Sequence, residues 1–413
     1  MWAVLGAAGA LVVLSRWLPS DAARQVAISR GGPVMGFLLA VTVLAGLADR
    51  AGVFDVAAGA CARAARGSTL RLFLLTAALG TATTIGMSLD TTAVLLTPVV
   101  LTVADQLELS PLPFAFLAVW LANTASLLLP VSNLTNLLAV QRVGLSTVGF
   151  AARMALPELV AVTVTVAYIG LVYRHDITGS YDPPRRRRVD DPWTFRVCAV
   201  ACLAVAPGVI GGVPPWAVAT PCATAAVAVF AVRQRTQLRW SLLPWRIVIF
   251  TEGLFLVVTA VARHGGTRLL TELSGHSVLA TTTTAVAASN LVNNLPSYLA
   301  IETAVPAGRT TQLLGGIVGT NAGPLILVWG SLATILWRDR CAARGVRITL
   351  RTFAAIGLGG VPSSSWAPGP PSSSPDDPGR QPLLKSLLRL ITPMLLGQTA
   401  RVDPAVSSRR PLC

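Results

Sequence analysis

The sequence predicts an all-α polytopic membrane protein of about ten transmembrane helices, built as an inverted repeat with re-entrant hairpins and broken helices. Three observations predict it. Of 413 residues, 53% are hydrophobic and 12% charged, about half the charged share of a soluble domain. Apolar runs recur near the length of about 20 residues that crosses a bilayer core. The polar interruptions of the first half return, in order, in the second.

Residues 2–18 open the chain as a first span. No basic residue precedes this apolar run, so it reads as a helix rather than a cleavable signal. Spans follow at 33–48 and 70–88. Residues 91–104, after Asp90, are too short and interrupted to cross, and read as a half-helix or re-entrant segment. The span at 113–122 runs into "ANTASLLLPVSNLTNLLAV" (122–140), where amides, hydroxyls and Pro130 break an apolar helix. Spans at 151–173, 194–212, 215–232, 245–263 and 276–291 precede a second short piece, 295–305, after Asn294. The last, 311–336, holds "TNAGPLILVWGSLATILWR" (320–338), a second break with Gly323-Pro324 inside it. Irregular backbone at membrane depth is stable only against protein or a water-filled cavity. Residues 349–361 start a helix that is cut short; 362–413 is rich in Pro and Ser and reads as a disordered tail, with 382–397 apolar but Pro-interrupted.

The net charge is +15, and Lys385 is the one lysine among 33 cations. The arginines sit in loops between spans, which marks them as orientation signals and argues against a nucleic-acid partner. With the "PPRRRRVDDP" loop (183–192) placed inside, 19 arginines fall inside and eight outside, and the N-terminus is cytoplasmic in a multi-pass plasma-membrane protein. The repeat follows. "PVMGFLLAVTVLAGLADRAG" (33–52) pairs with "PWRIVIFTEGLFLVVTAVARHGG" (244–266), "SLDTTAVLLTP" (88–98) with "LVNNLPSYLA" (291–300), and the two breaks with each other. The two units enter the membrane from opposite sides. The chain divides into an N-terminal helix and loop (1–32), a first repeat (33–173), an Arg-rich cytoplasmic loop (174–193), linking helices (194–243), a second repeat (244–361) and the tail (362–413).

Polar groups at membrane depth are costly and mark function. Asp90, with the Thr91 and Thr92 hydroxyls, forms a candidate cation or proton site, with a helix N-cap as the plainer alternative. Asn123, Thr124, Ser126, Ser132, Asn133, Thr135 and Asn136 cluster in the first break. Ser289, Asn290, Asn293, Asn294 and Ser297 gather around the second short piece, and Thr320, Asn321, Ser331 and Thr334 around the second break. Such groups donate and accept, which suits a hydroxylated or anionic solute and the shell of a cation, although Ser, Thr and Asn also join membrane helices. Glu252, mid-span, needs a proton or a partner such as Arg246. His175, His264 and His276 fall in loops or at span ends. Six cysteines make no CxxC pair, so no metal site or disulfide framework is expected. Cys198 and Cys202 stand one turn apart and read as small apolar residues.

"LPWRIVIFTEGLFLVVTAVARHG" (243–265), "NNLP" (293–296), "GSLATILW" (330–337), "DTTAVLLTP" (90–98) and the first break resemble the arsenite permease family of the ion transporter superfamily, over roughly 33–350. The resemblance implies two re-entrant hairpins, two broken helices, and efflux of arsenite or antimonite coupled to protons or to a partner ATPase, with no cofactor. The pattern departs at Leu89-Asp90-Thr91, where the family has Asn-Asp-Gly, and at Asn123 and Asn321, where it often has acids. A sodium- or proton-coupled organic-anion carrier and a cation/proton antiporter are the alternatives in transport. An intramembrane enzyme is disfavoured, since no HExxH, Gly-x-Gly-Asp or serine–histidine pairing occurs at membrane depth.

Overall fold

The computed structural model describes residues 2–185, 189–265, 268–275 and 277–364. His276, Arg186 to Arg188 and the expected tail beyond residue 364 lie outside them. The described residues are helical, with one isolated bridge between Ser68 and Ser180. In order the helices are α1 (Trp2–Leu14), α2 (Ser20–Arg24), α3 (Gly32–Arg50), α4 (Val53–Ala64), α5 (Thr69–Gly86), α6 (Leu89–Thr91), α7 (Thr97–Gln106), α8 (Leu112–Thr124), α9 (Leu134–Val143), α10 (Thr147–Val172), α11 (Pro192–Ile210), α12 (Pro215–Arg233), α13 (Trp245–Arg263), α14 (Arg268–Ser274), α15 (Val278–Val292), α16 (Asn294–Ala304), α17 (Thr310–Ala322), α18 (Leu332–Ala343) and α19 (Leu350–Ser364).

Local chemistry sets the boundaries. Ser68, Ser146 and Ser277 cap α5, α10 and α15 by accepting a backbone N–H. Gly144 ends α9 in the left-handed conformation that glycine tolerates. Asp191 caps α11 ahead of Pro192 and accepts from Arg233 Nε at 2.7 Å. That hydrogen bond holds the Asp191 carboxyl below the usual carboxylate range.

The same order of elements occurs twice. α3, α4, α5, the α6–α7 return, α8, α9 and α10 are followed, after α11 and α12, by α13, α14, α15, α16, α17, α18 and α19. The short helices α4 and α14 were not expected from the sequence, which reads both stretches as loops. Among the described residues six helices, counting the α2–α3 stretch as one, are long and apolar enough to cross a membrane. The expected total of about ten counts α8 with α9, and α17 with α18, as whole spans, whereas each is two half-length helices. Leu156, Leu159, Val200, Leu203 and Val232 are exposed on α10 to α12, as lipid-facing side chains should be.

Aromatic packing joins the halves. Phe116 of α8 lies edge-on to Trp337 of α18 at 5.6 Å and stacks on Phe353 of α19 at 6.2 Å. The Trp337 indole also donates to the Ala115 carbonyl at 2.9 Å. Within the second half, α17 meets α15 through Gly315, Gly319 and Gly323. A methyl on Gly319 would overlap the Thr282 carbonyl. Small residues of this kind let membrane helices approach to backbone contact.

Candidate functional site

The two breaks are built alike. α8 and α17 start at Leu112 and Thr310 and end at Thr124 and Ala322. Short 3₁₀ turns follow at Pro130–Ser132 and Val328–Gly330, and α9 and α18 resume at Leu134 and Leu332. One offset of 198 residues relates all four pairs (Leu112 to Thr310, for example). Asn133 and Ser331, the residues that open α9 and α18, share an extended backbone. Proline without an N–H, glycine, and side chains that compete for backbone partners explain why neither stretch can continue as a helix.

The breaks touch. Thr135 Oγ1 donates to Asn321 Oδ1 at 2.8 Å, and Asn321 Nδ2 donates to Asn136 Oδ1 at 2.9 Å. Asn136 Nδ2 in turn reaches the carbonyls of Ser126 (2.7 Å) and Leu129 (3.0 Å), which the first break leaves without helical partners. Asn133 Nδ2 donates to Ser126 Oγ, and Ser126 Oγ to the Asn123 carbonyl at 2.7 Å. Thr124 pairs with Thr165 of α10, and Ser132 donates to the Ile85 carbonyl at the end of α5. On the other side, the Asn290 carboxamide donates to the Gly323 carbonyl at 2.8 Å and accepts from the Ile326 and Leu327 amides at 3.1 and 3.0 Å.

All of these side chains are buried, so the cluster is closed to bulk water. Three polar atoms in it have no hydrogen-bond partner among the described residues: Asn123 Oδ1, Ser331 Oγ and Thr334 Oγ1. A buried unpaired polar atom costs stability, and such atoms in one cluster are what a polar ligand would satisfy. Ser331 and Thr334 stand at the N-terminus of α18, where backbone N–H groups favour oxygen ligands.

The hairpin tips flank the breaks. At the second tip, Asn293 adopts φ 95°, ψ 153°, a region costly for any residue but glycine, and Asn293 Nδ2 donates to the Trp329 carbonyl at 3.0 Å. Asn294 is buried beside it and accepts from the Leu295 amide at 2.9 Å. At the first tip, Ser88 rather than Asp90 caps α6, accepting from the Thr91 amide at 3.2 Å. The N-cap alternative for Asp90 is therefore corrected: its carboxylate is half-buried and enters no hydrogen bond or ion pair among the described residues. The hydroxyls of Thr91 and Thr92 are spent on Ser88 (3.0 Å) and on Thr84 of α5 (2.7 Å), folding the return against α5.

Glu252 is not brought to the breaks. It lies on α13 against the Gly31 backbone. No ion pair with Arg246 forms, and Arg246 lies over the Trp245 ring instead, 5.2 Å from its centroid. His175 and His264 are exposed, as expected. The described cysteines are free, and no cluster of three or more metal-ligating side chains occurs among the described residues.

Two buried carboxylates are missing from the sequence reading, Glu158 on α10 and Glu302 on α16. Glu158 Oε2 accepts from the Leu127 amide at 2.8 Å, inside the first break, and Oε1 has no partner among the described residues. The signal that singles out Glu252, a carboxylate within an apolar run, is equally present at Glu158.

Comparison with known proteins places this geometry. The citrate transporter family profile matches residues 1–334. The chain belongs to that family. An arsenical pump membrane protein of Escherichia coli is 30% identical over 352 residues, covering 78% of this chain and 81% of the relative, which bears out the resemblance drawn from the sequence. A putative arsenical pump membrane protein of Bacillus subtilis is 26% identical over 73% of this chain and 78% of its own length. An uncharacterized transporter of Mycobacterium tuberculosis is 26% identical over 81% and 80%. Among solved structures, the YdaH transporter of Alcanivorax borkumensis, described as having an unusual topology, shares the fold, with a TM-score of 0.51 and 16% identity over 85% of this chain and 88% of that one. The chain is a multi-pass membrane transporter, not an enzyme.

Proposed function

We propose that the chain is a secondary active transporter that exports arsenite or antimonite, coupled to protons or to a partner ATPase, and that the joined breaks hold the substrate. One observation carries this reading. The cluster around the Thr135–Asn321–Asn136 bonds offers amides, hydroxyls and two half-helix N-termini, and no arginine or histidine bonds to it among the described residues. Arsenous acid is neutral at physiological pH and carries three hydroxyls, each a donor and an acceptor. A tricarboxylate such as citrate, named in the family description, would call for a guanidinium clamp. The names of the curated relatives support the same choice.

The proposed cytoplasmic N-terminus rests on the arginine bias, and contacts between arginine-rich segments support it. Arg50 donates to the Gln237 carbonyl, Asp191 pairs with Arg233, and the Gly67 carbonyl accepts from Tyr181 at 2.9 Å. The segments assigned to the inside thus gather at one end.

Expression in an arsenite-sensitive host lacking its own efflux tests the substrate. The expected result is tolerance to arsenite and antimonite and lowered cell arsenic, with no citrate uptake. Confirmed membrane insertion without any gain in tolerance would refute the substrate.

A further inference from the structure

The geometry points to Glu158 as a proton-carrying latch on the first break, linking the position of residues 125–133 to proton uptake and release. This rests on the transport reading and names its coupling residue.

Glu158 is 5% exposed, at mid-length of α10, directly after Pro157. In an unbroken helix Leu127 N–H would meet the Asn123 carbonyl. Here the Ser126 hydroxyl occupies that carbonyl, and the freed amide donates to Glu158 Oε2. One carboxyl oxygen thus holds the break, while the other is buried with no hydrogen bond among the described residues. The titratable groups on the elements packed against α10 are few. α8 and α17 carry none, α5 brings Arg71, α11 brings Arg196, Cys198 and Cys202, α19 brings Arg351, and α10 itself adds Arg153 and Tyr168. None of them forms an ion pair or hydrogen bond with Glu158.

A carboxylate only accepts hydrogen bonds, whereas a carboxylic acid donates one. A proton taken from water therefore changes what Glu158 can hold. The acid needs an acceptor, and Asn123 Oδ1, four residues before Leu127 at the end of α8, is an unpartnered acceptor in the same break. In the second break the clasp is Asn290, which holds the Ile326 and Leu327 amides and whose carboxamide neither gains nor loses a proton. Protonation of its clasp would move only the first break. Release of the proton to water on the opposite side restores the carboxylate and the starting arrangement.

The test uses the full chain in lipid nanodiscs, without substrate. Infrared difference spectra between acidic and alkaline pH should show a carboxylic-acid carbonyl band accompanied by an amide change. Glu158→Gln should remove both, and Glu158→Asp should shift the band while keeping it, which covers the case of a Gln variant that fails to insert. An unchanged pH difference spectrum in both variants would overturn the assignment. In proteoliposomes an imposed pH gradient should speed arsenite movement about tenfold in the wild type. Glu158→Gln should lose that acceleration, and Glu158→Asp should keep part of it. Gradient-driven acceleration equal to wild type in Glu158→Gln would equally overturn it. Failure of the wild type to move arsenite counts against the proposed substrate, and the infrared result still decides the role of Glu158.

Discussion

At residues 125–133 the Leu127 amide donates to the Glu158 carboxylate, and at 323–331 the Ile326 and Leu327 amides donate to the Asn290 carboxamide. The backbones of the two breaks match in length, 3₁₀ turn and resuming half-helix, so their chemistry differs where their geometry does not. A carboxamide satisfies amides and a carbonyl together and is indifferent to pH, which suits a fixed frame. A carboxylate leaves an oxygen over, which suits a part that changes. The repeat therefore supplies two matching shapes, and under the latch proposed for Glu158 one side chain in each decides which holds still.

Breaking the fixed clasp should have the largest effect. Asn290→Leu leaves the Gly323 carbonyl and two amides unpaired, at a cost of about 3 kcal/mol. Thermal unfolding in detergent should show a large drop in Tm and transport should cease. Asn290→Asp sharpens the comparison, since it keeps the acceptor and loses the donor to Gly323. It should unfold between Leu and wild type, with a pH dependence that wild type lacks at this break.

Next, Gly319→Ala drives a methyl into the Thr282 carbonyl and should cost about 2 kcal/mol by overpacking, again read from Tm. Gly86, with nothing within 4 Å of its would-be Cβ, should accept Ala with little change. A smaller effect is expected at the second hairpin tip. Asn293→Gly relieves the unfavourable φ but loses the bond to Trp329, for a net change within about 1 kcal/mol, whereas Asn293→Val should unfold well below wild type.

The smallest effect lies outside the membrane. The folded Asp191 carboxyl is held below its ordinary value of 3.8. Its contribution is therefore complete above that value and lost as pH falls below it. Asp191→Asn should lower Tm slightly at neutral pH, and the difference should vanish in strong acid.

Much of this was legible in the sequence because polar residues in an apolar run stand out. The breaks, both hairpin tips and the paired order of elements follow from Asn, Pro and Gly in places where lipid would demand leucine. α4 and α14 were not legible, because short helices with mixed surfaces resemble loops. An N-cap at Asp90 stood as the alternative to an ion site because Ser88 and Asp90 both qualify by type, and the hydrogen bond from the Thr91 amide shows that Ser88 is the cap. The Thr135–Asn321–Asn136 bonds join residues almost two hundred positions apart, and nothing local announces them. Glu158 was legible by the rule applied to Glu252, whereas its hold on Leu127 depends on the tertiary packing of α10 on α8.

If the joined breaks hold a substrate, the unpartnered hydroxyls of Ser331 and Thr334 are where its loss should be felt most directly. Neither hydroxyl has a hydrogen-bond partner among the described residues, so the double variant Ser331→Ala, Thr334→Val should leave the fold intact. Antimonite uptake by everted vesicles should fall about tenfold, the value of roughly one lost hydrogen bond, with Tm unchanged. Uptake equal to wild type, at equal protein in the membrane, would contradict the account.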